Sequence, residues 1–168
     1  PHFLGRAEVE AAPAGVGLSL GRPYFLFAGR LERMKGVQVL LERFSSYDAA
    51  DLVIAGDGTF SGELRRRAVG LSHVHFLGRV AHAQVLRLIA GARLLILPSR
   101  CSEGCPNVVL EAMALGTPVV GVRTDWRTSG DNEAATVNLQ VEWFLESTGG
   151  TICASLEDAL TELDRVLG

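Results

Sequence analysis

Short apolar runs separated by helical patterns set the strongest limit on what this chain can fold into. Tyr24–Ala28 (YFLFA), Asp51–Ala55 (DLVIA), Val74–Leu77, Arg93–Leu97 (RLLIL) and Pro118–Val122 read as buried strands, and Thr151–Cys153 as a sixth. Between them, Lys35–Ser45, Thr59–Val69, His82–Ala90 and Asn107–Leu115 carry helical spacing, and Leu156–Leu167 closes the chain as an amphipathic helix. Strands that are apolar on both faces and alternate with helices need cover on both sides of a parallel sheet. The expected fold class is therefore α/β, a Rossmann-like doubly wound parallel sheet with right-handed crossovers. Residues 1–21 are rich in Gly and Ala without a period and are expected to form a linker or N-terminal tail. Residues 22–168 are expected to be one domain, with 123–149 a long loop carrying a helix near its end.

A length of 168 residues suits one domain with a real core. The net charge of −3 argues against a protein that binds nucleic acid through bulk electrostatics. No apolar run approaches the roughly 18 residues needed to cross a bilayer, and the first residues lack the order of a signal sequence. The three cysteines, Cys101, Cys105 and Cys153, form no framework, and no nearby His completes a metal site around C-x-x-x-C. They read as structural thiols in a reducing compartment.

In a doubly wound sheet, ligands bind beyond the carboxyl ends of the strands. The residues at those positions are Gly29-Arg30 and then Lys35-Gly36, Gly56-Asp57-Gly58, Gly78-Arg79-Val80, and Pro98-Ser99-Arg100-Cys101-Ser102-Glu103-Gly104. Glycines allow a sharp turn or close approach of a ligand, and the basic residues beside them suit an anion such as a phosphate ester.

The run from Gly104 to Val122 holds one charged residue, Glu111, inside what reads as a buried helix. An unpaired buried carboxylate is costly, so a partner is expected. Glu103 stands eight residues earlier, about 12 Å away if the path were all helical. Two such carboxylates could grip two polyol groups. Pro106 fits the first helical position, which turns the amides of Asn107 and Val108 toward the crevice as an anion site.

On spacing alone, Arg30 and Lys35 read equally as surface cations, and Gly56-Asp57-Gly58 as a common turn. Glu111 reads also as a core carboxylate paired to backbone or to an arginine. His73 and His75 alternate onto one face of a short strand without a third ligand, and Arg65-Arg66-Arg67 reads as a solvated helix face.

Taken together and in order, Gly29-Arg30-Leu31…Lys35-Gly36, Gly56-Asp57-Gly58, Phe76-Leu77-Gly78-Arg79-Val80, Pro98-Ser99 and the E-x7-E of EGCPNVVLEAMALGTPVV resemble the retaining GT-B glycosyltransferases of family four. The likeness covers about residues 22–122, with a weaker echo at 149–167. It implies the C-terminal, nucleotide-sugar-binding half of a two-domain fold, with an N-terminal acceptor domain outside this chain. By resemblance, Arg30 and Lys35 hold the donor diphosphate, Glu103 the sugar hydroxyls and Glu111 the ribose. Gly29, Gly104, Cys105, Asn107 and Val108 border the phosphates or sugar, and Arg79 and Val80 border the base. Family members generally work without a bound metal, so no cofactor is expected beyond a nucleoside-diphosphate sugar as donor substrate.

The implied reaction moves a sugar to an acceptor hydroxyl of a glycan, a lipid-linked sugar or a small molecule, with retention. The implied location is cytoplasmic, peripheral at the inner face of a membrane through the second domain. Two departures stand out. Arg123–Glu133 fits the family's Gly-Gly…Glu element poorly, and Cys105-Pro106-Asn107 replaces the more frequent Phe-Gly. The alternatives are a stand-alone nucleotide-binding module without catalysis and a phosphorylase- or epimerase-like relative.

Overall fold

A computed structural model describes residues 22–98, 106–122 and 151–153, together with Asp158 and Thr161. The expected tail at 1–21, the segment at 123–149 and the residues Glu103, Gly104 and Cys105 lie outside the described residues, as does most of the expected last helix. Asp158 and Thr161 within that stretch are helical and exposed.

The elements run β1 (Tyr24–Ala28), a 3-10 turn (Arg33–Lys35), α1 (Val37–Phe44), β2 (Asp51–Ala55), α2 (Ser61–Arg67), β3 (Val74–Gly78), α3 (His82–Gly91), β4 (Leu94–Leu97), α4 (Asn107–Ala114), β5 (Val119–Val122) and β6 (Thr151–Cys153). The strands form one sheet in the order β3-β2-β1-β4-β5-β6, with every pairing parallel. Chain order reverses direction between β1 and β4, the switch point at which doubly wound folds open a crevice.

Alternate residues of β1 show why helices must cover both faces. Phe25 and Phe27 pack with Leu52, Ile54, Leu94 and Ile96 under the α1 side chains Val37, Leu40, Leu41 and Phe44 and under Leu64 of α2. Tyr24, Leu26 and Ala28 pack on the other side with Val53, Ala55 and Leu95, under Leu88 and Ile89 of α3 and Val109 and Ala112 of α4. No helix among the described residues is long and apolar enough to cross a membrane.

Three expectations need correction. The helix expected from Lys35 begins at Val37, because Gly36 adopts φ 74° and separates it from the 3-10 turn that carries Lys35. A Cβ on Gly36 would lie 1.8 Å from the carbonyl oxygen of Pro98, so glycine is required there both by φ and by space. Pro106 is the N-cap of α4 with ψ 130° rather than its first helical residue, and its carbonyl accepts the Val109 N–H at 2.9 Å. Finally, α4 is not buried all round. It covers one sheet face, so Val109 and Ala112 are buried while Leu110 is 41% exposed. The helix ends in a Schellman motif, with Gly116 N–H donating to Met113 and Thr117 N–H to Ala112, and Pro118 follows.

The expected structural residues are accounted for by neighbours. His73 Nε2 lies 2.9 Å from the Phe44 carbonyl, and its ring stacks on that phenylalanine. Arg66 and Arg67 both pair with Glu63 along the exposed face of α2.

Candidate functional site

The site is built where β1, β2 and β3 end. Gly29 N–H donates to the Ala55 carbonyl at 3.0 Å, Leu31 N–H to Asp57 at 3.0 Å, and Gly56 N–H to Gly78 at 2.7 Å. These bonds carry the ladder past the strands and align three loops. The contact is too close for side chains. A Cβ on Gly56 would meet the Gly29 carbonyl oxygen at 1.9 Å, and one on Gly58 would meet that of Leu31 at 2.5 Å. Glu32 adds a side-chain tie, accepting the Thr59 hydroxyl at 2.6 Å.

Above these loops lies an open cleft of about 330 Å³. Its floor is small and apolar, made by Ala28 and Ala55 at the strand ends with Val80 and Val85 beside them. Arg30 and Arg79, both exposed, bring positive charge from the loops after β1 and β3. The opposite wall is α4, which contributes Asn107, Val108 and Glu111. Asn107 and Val108 belong to the first helical turn, whose amides have no preceding turn to accept them. The partial positive charge of that terminus faces the same space as the two arginines.

Two acidic residues share the cleft. The Asp57 carboxyl is held below its usual range, first by the Gly58 N–H and then by the Ser61 hydroxyl, with Arg65 and Arg79 adding favourable charge. It is therefore an ionised brace for the turn. Glu32, just outside the cleft, is also held below its usual range, chiefly by the Thr59 hydroxyl. Glu111 stands at the lip, its side chain 23% exposed, and its Oε1 lies 2.7 Å from Nε2 of His82. The partner expected for a lone carboxylate is thus supplied by α3.

Seven expected site residues, Gly29, Arg30, Arg79, Val80, Asn107, Val108 and Glu111, line this one cleft. Among the described residues, Lys35 does not line it. Lys35 is half-buried at the end of the 3-10 turn, next to Gly36 and its contact with Pro98 at the end of β4. Glu103, Gly104 and Cys105 lie outside the described residues. Sequence reasoning missed Val85 and His82. Both sit early in α3, and the signal for them was topological: the first turns of helices on one face of a parallel sheet open onto the same edge.

Three comparisons bear on this geometry. The chain is 38% identical over 121 residues to the protein provisionally named teichuronic acid biosynthesis glycosyltransferase TuaC of Bacillus subtilis, covering 71% of this chain and 30% of that one. The chain spans roughly a third of the length of the curated relatives it matches. The fold is that of the C-terminal domain of a glycosyl transferase group 1 family protein from Francisella tularensis, with a TM-score of 0.65 and 20% identity over 86% of this chain and 75% of that one. The HepE protein of Anabaena, solved in complex with UDP, matches 80% of this chain with 41% of its own length, at TM-score 0.55 and 23% identity. The sheet is accordingly one half of a GT-B fold. A family model for the glycosyl transferases group 1 matches residues 22–146, a span that contains every element from β1 to β5 and the whole described cleft, and the chain belongs to that family.

Proposed function

We propose that this chain is the donor-binding domain of a glycosyltransferase that takes its sugar from a nucleoside diphosphate. The observation that carries the reading is the cleft at the switch point, where two arginines face the N-terminus of α4 and Glu111 across an apolar floor. A volume of about 330 Å³ falls at the small end of ligand pockets, which run from about 300 to 1,000 Å³. The UDP held by the HepE protein of Anabaena supports the same ligand class.

In this reading the diphosphate lies between Arg30 and the first turn of α4, with Lys35 as a further cation on the 3-10 turn outside the cleft lining. Glu111 accepts hydrogen bonds from the ribose, and the base rests near Arg79 and Val80. Glu103 meets the sugar hydroxyls, with Gly104 and Cys105 beside it. As the bond between the anomeric carbon and the diphosphate oxygen breaks, negative charge builds on the leaving phosphate. Fixed cations and a helix dipole stabilise that charge more than they stabilise the ground state. The acceptor oxygen bonds to the anomeric carbon on the face the leaving group vacates, and its proton passes to the departing phosphate, so configuration is retained. The acceptor is bound by a second domain of the same polypeptide that faces this cleft, with the work done in the cytoplasm.

Calorimetry with UDP, GDP and ADP, and one sugar conjugate of each, tests this directly. At least one is expected to bind, and Glu111→Gln is expected to weaken it by more than about 1 kcal/mol. Absence of heat with all of them would sink the reading.

A further inference from the structure

His82 is the first residue of α3 and Glu111 the fifth of α4. They are 29 positions apart and meet because the two helices pack side by side on one sheet face. Their exposures differ: the His82 side chain is 70% exposed and that of Glu111 23%. An exposed imidazole reaching a half-buried carboxylate adds little to stability. What it changes is geometry. A glutamate side chain turns about three bonds, and a second anchor removes that freedom before any ligand arrives. A carboxylate has about four lone-pair positions. With one on Oε1 taken by His82, the rest stay available to two neighbouring hydroxyls in the cleft.

We propose that His82 is a positioning residue for Glu111, fixing the carboxylate so that it grips both hydroxyls of a ribose and thereby sets the preference for ribonucleotides over 2′-deoxyribonucleotides. The inference rests on the donor-binding reading above. The contact needs a proton on Nε2 of His82, which donates to Glu111 Oε1; a glutamine amide supplies an equivalent donor, and alanine supplies none.

The test is calorimetry on the 168-residue chain with UDP, GDP and ADP and their 2′-deoxy counterparts, for wild type, His82→Ala and His82→Gln, with melting temperatures in parallel. The best ribonucleotide is expected to bind wild type about tenfold more tightly than its deoxy form, the scale of one hydrogen bond to a charged group. His82→Ala is expected to shrink that ratio about threefold or more without lowering the melting temperature, and His82→Gln to restore it to within about twofold. An unchanged ratio in His82→Ala, a glutamine variant that behaves like alanine, or a wild type indifferent to the 2′-hydroxyl would each overturn the proposal while nucleotide binding persists. A wild type that binds none of the three nucleotides fails instead at the donor reading, and the proposal falls with it.

Discussion

The two edges of the sheet use similar residues for opposite ends. Where β2 begins, Asp51 is buried, with one carboxylate oxygen accepting from Arg22 Nε at 3.1 Å and the other 3.2 Å from His75 Nε2. Arg22 also donates to the Asp48 carbonyl at 2.6 Å. That edge closes its charges on one another. Where β1 and β3 end, Arg30 and Arg79 stand exposed around an open cleft, and Glu111 is met at its rim by His82. Residue type therefore says little about role. A cation and a carboxylate that satisfy each other hold the fold, whereas those facing a shared space are available to a ligand.

The largest effect is expected from striking the open edge through its backbone. Gly36→Ala places a Cβ against the Pro98 carbonyl at a residue with φ 74°, and should cost about 3 kcal/mol or more in urea unfolding. A loss below about 1 kcal/mol would show that the two loops can part cheaply.

The closed edge has its own signature at alkaline pH. Burial pushes the Tyr24 phenol up to about 12 from 10.0, and its hydroxyl donates to the Leu88 carbonyl at 2.7 Å. Below pH 10 the folded and unfolded states both keep the proton. Between pH 10 and about 12 only the folded state keeps it, so stability is full below that window and falls through it, by roughly 2–3 kcal/mol. Tyr24→Phe should flatten this limb, and an unchanged slope would locate the alkaline loss elsewhere.

Asp51→Ala should cost somewhat less, about 1–3 kcal/mol, since it strands two donors of which Arg22 is already partly solvated. Nucleotide affinity of the folded fraction should not move. If it did, the two edges would be coupled and the contrast between them would fail.

The smallest effect on stability is expected from Arg30→Ala. Thermal melting should change by no more than about 0.5 kcal/mol in free-energy terms, as for an exposed side chain, while nucleotide affinity drops about tenfold. Equal loss in both measurements would make Arg30 another closed-edge residue.

Much of this contrast could be read from the chain before any coordinates. Tyr24–Ala28 and Asp51–Ala55 are buried throughout, and near-continuous apolar runs such as YFLFA and LVIA admit little else. The glycines after those strands located the edge where Gly29, Arg30, Arg79 and Val80 meet. The environment of Glu111 was harder. Apolar density in Val108–Leu115 suggested burial on every side, yet density does not tell which face meets the sheet, and Leu110 proved exposed. The pairing of His82 with Glu111 was hidden for another reason: no periodicity links residues 29 positions apart on different helices. The need for glycine at Gly36 was hidden too, because the backbone it packs against belongs to Pro98, sixty-two positions away.

The tight stacking of Gly36 on Pro98, Gly56 on Gly29 and Gly58 on Leu31 limits how this protein can diversify. Any side chain at those three glycines pushes into backbone, so the loop that presents Arg30 cannot be reshaped by substituting them. Variation that alters what the cleft accepts is easier at Val80 and Val85, beside the floor, and at His82 next to Glu111, none of which is a glycine packed on backbone. A library built to change ligand preference would spend its diversity there and leave the glycines untouched.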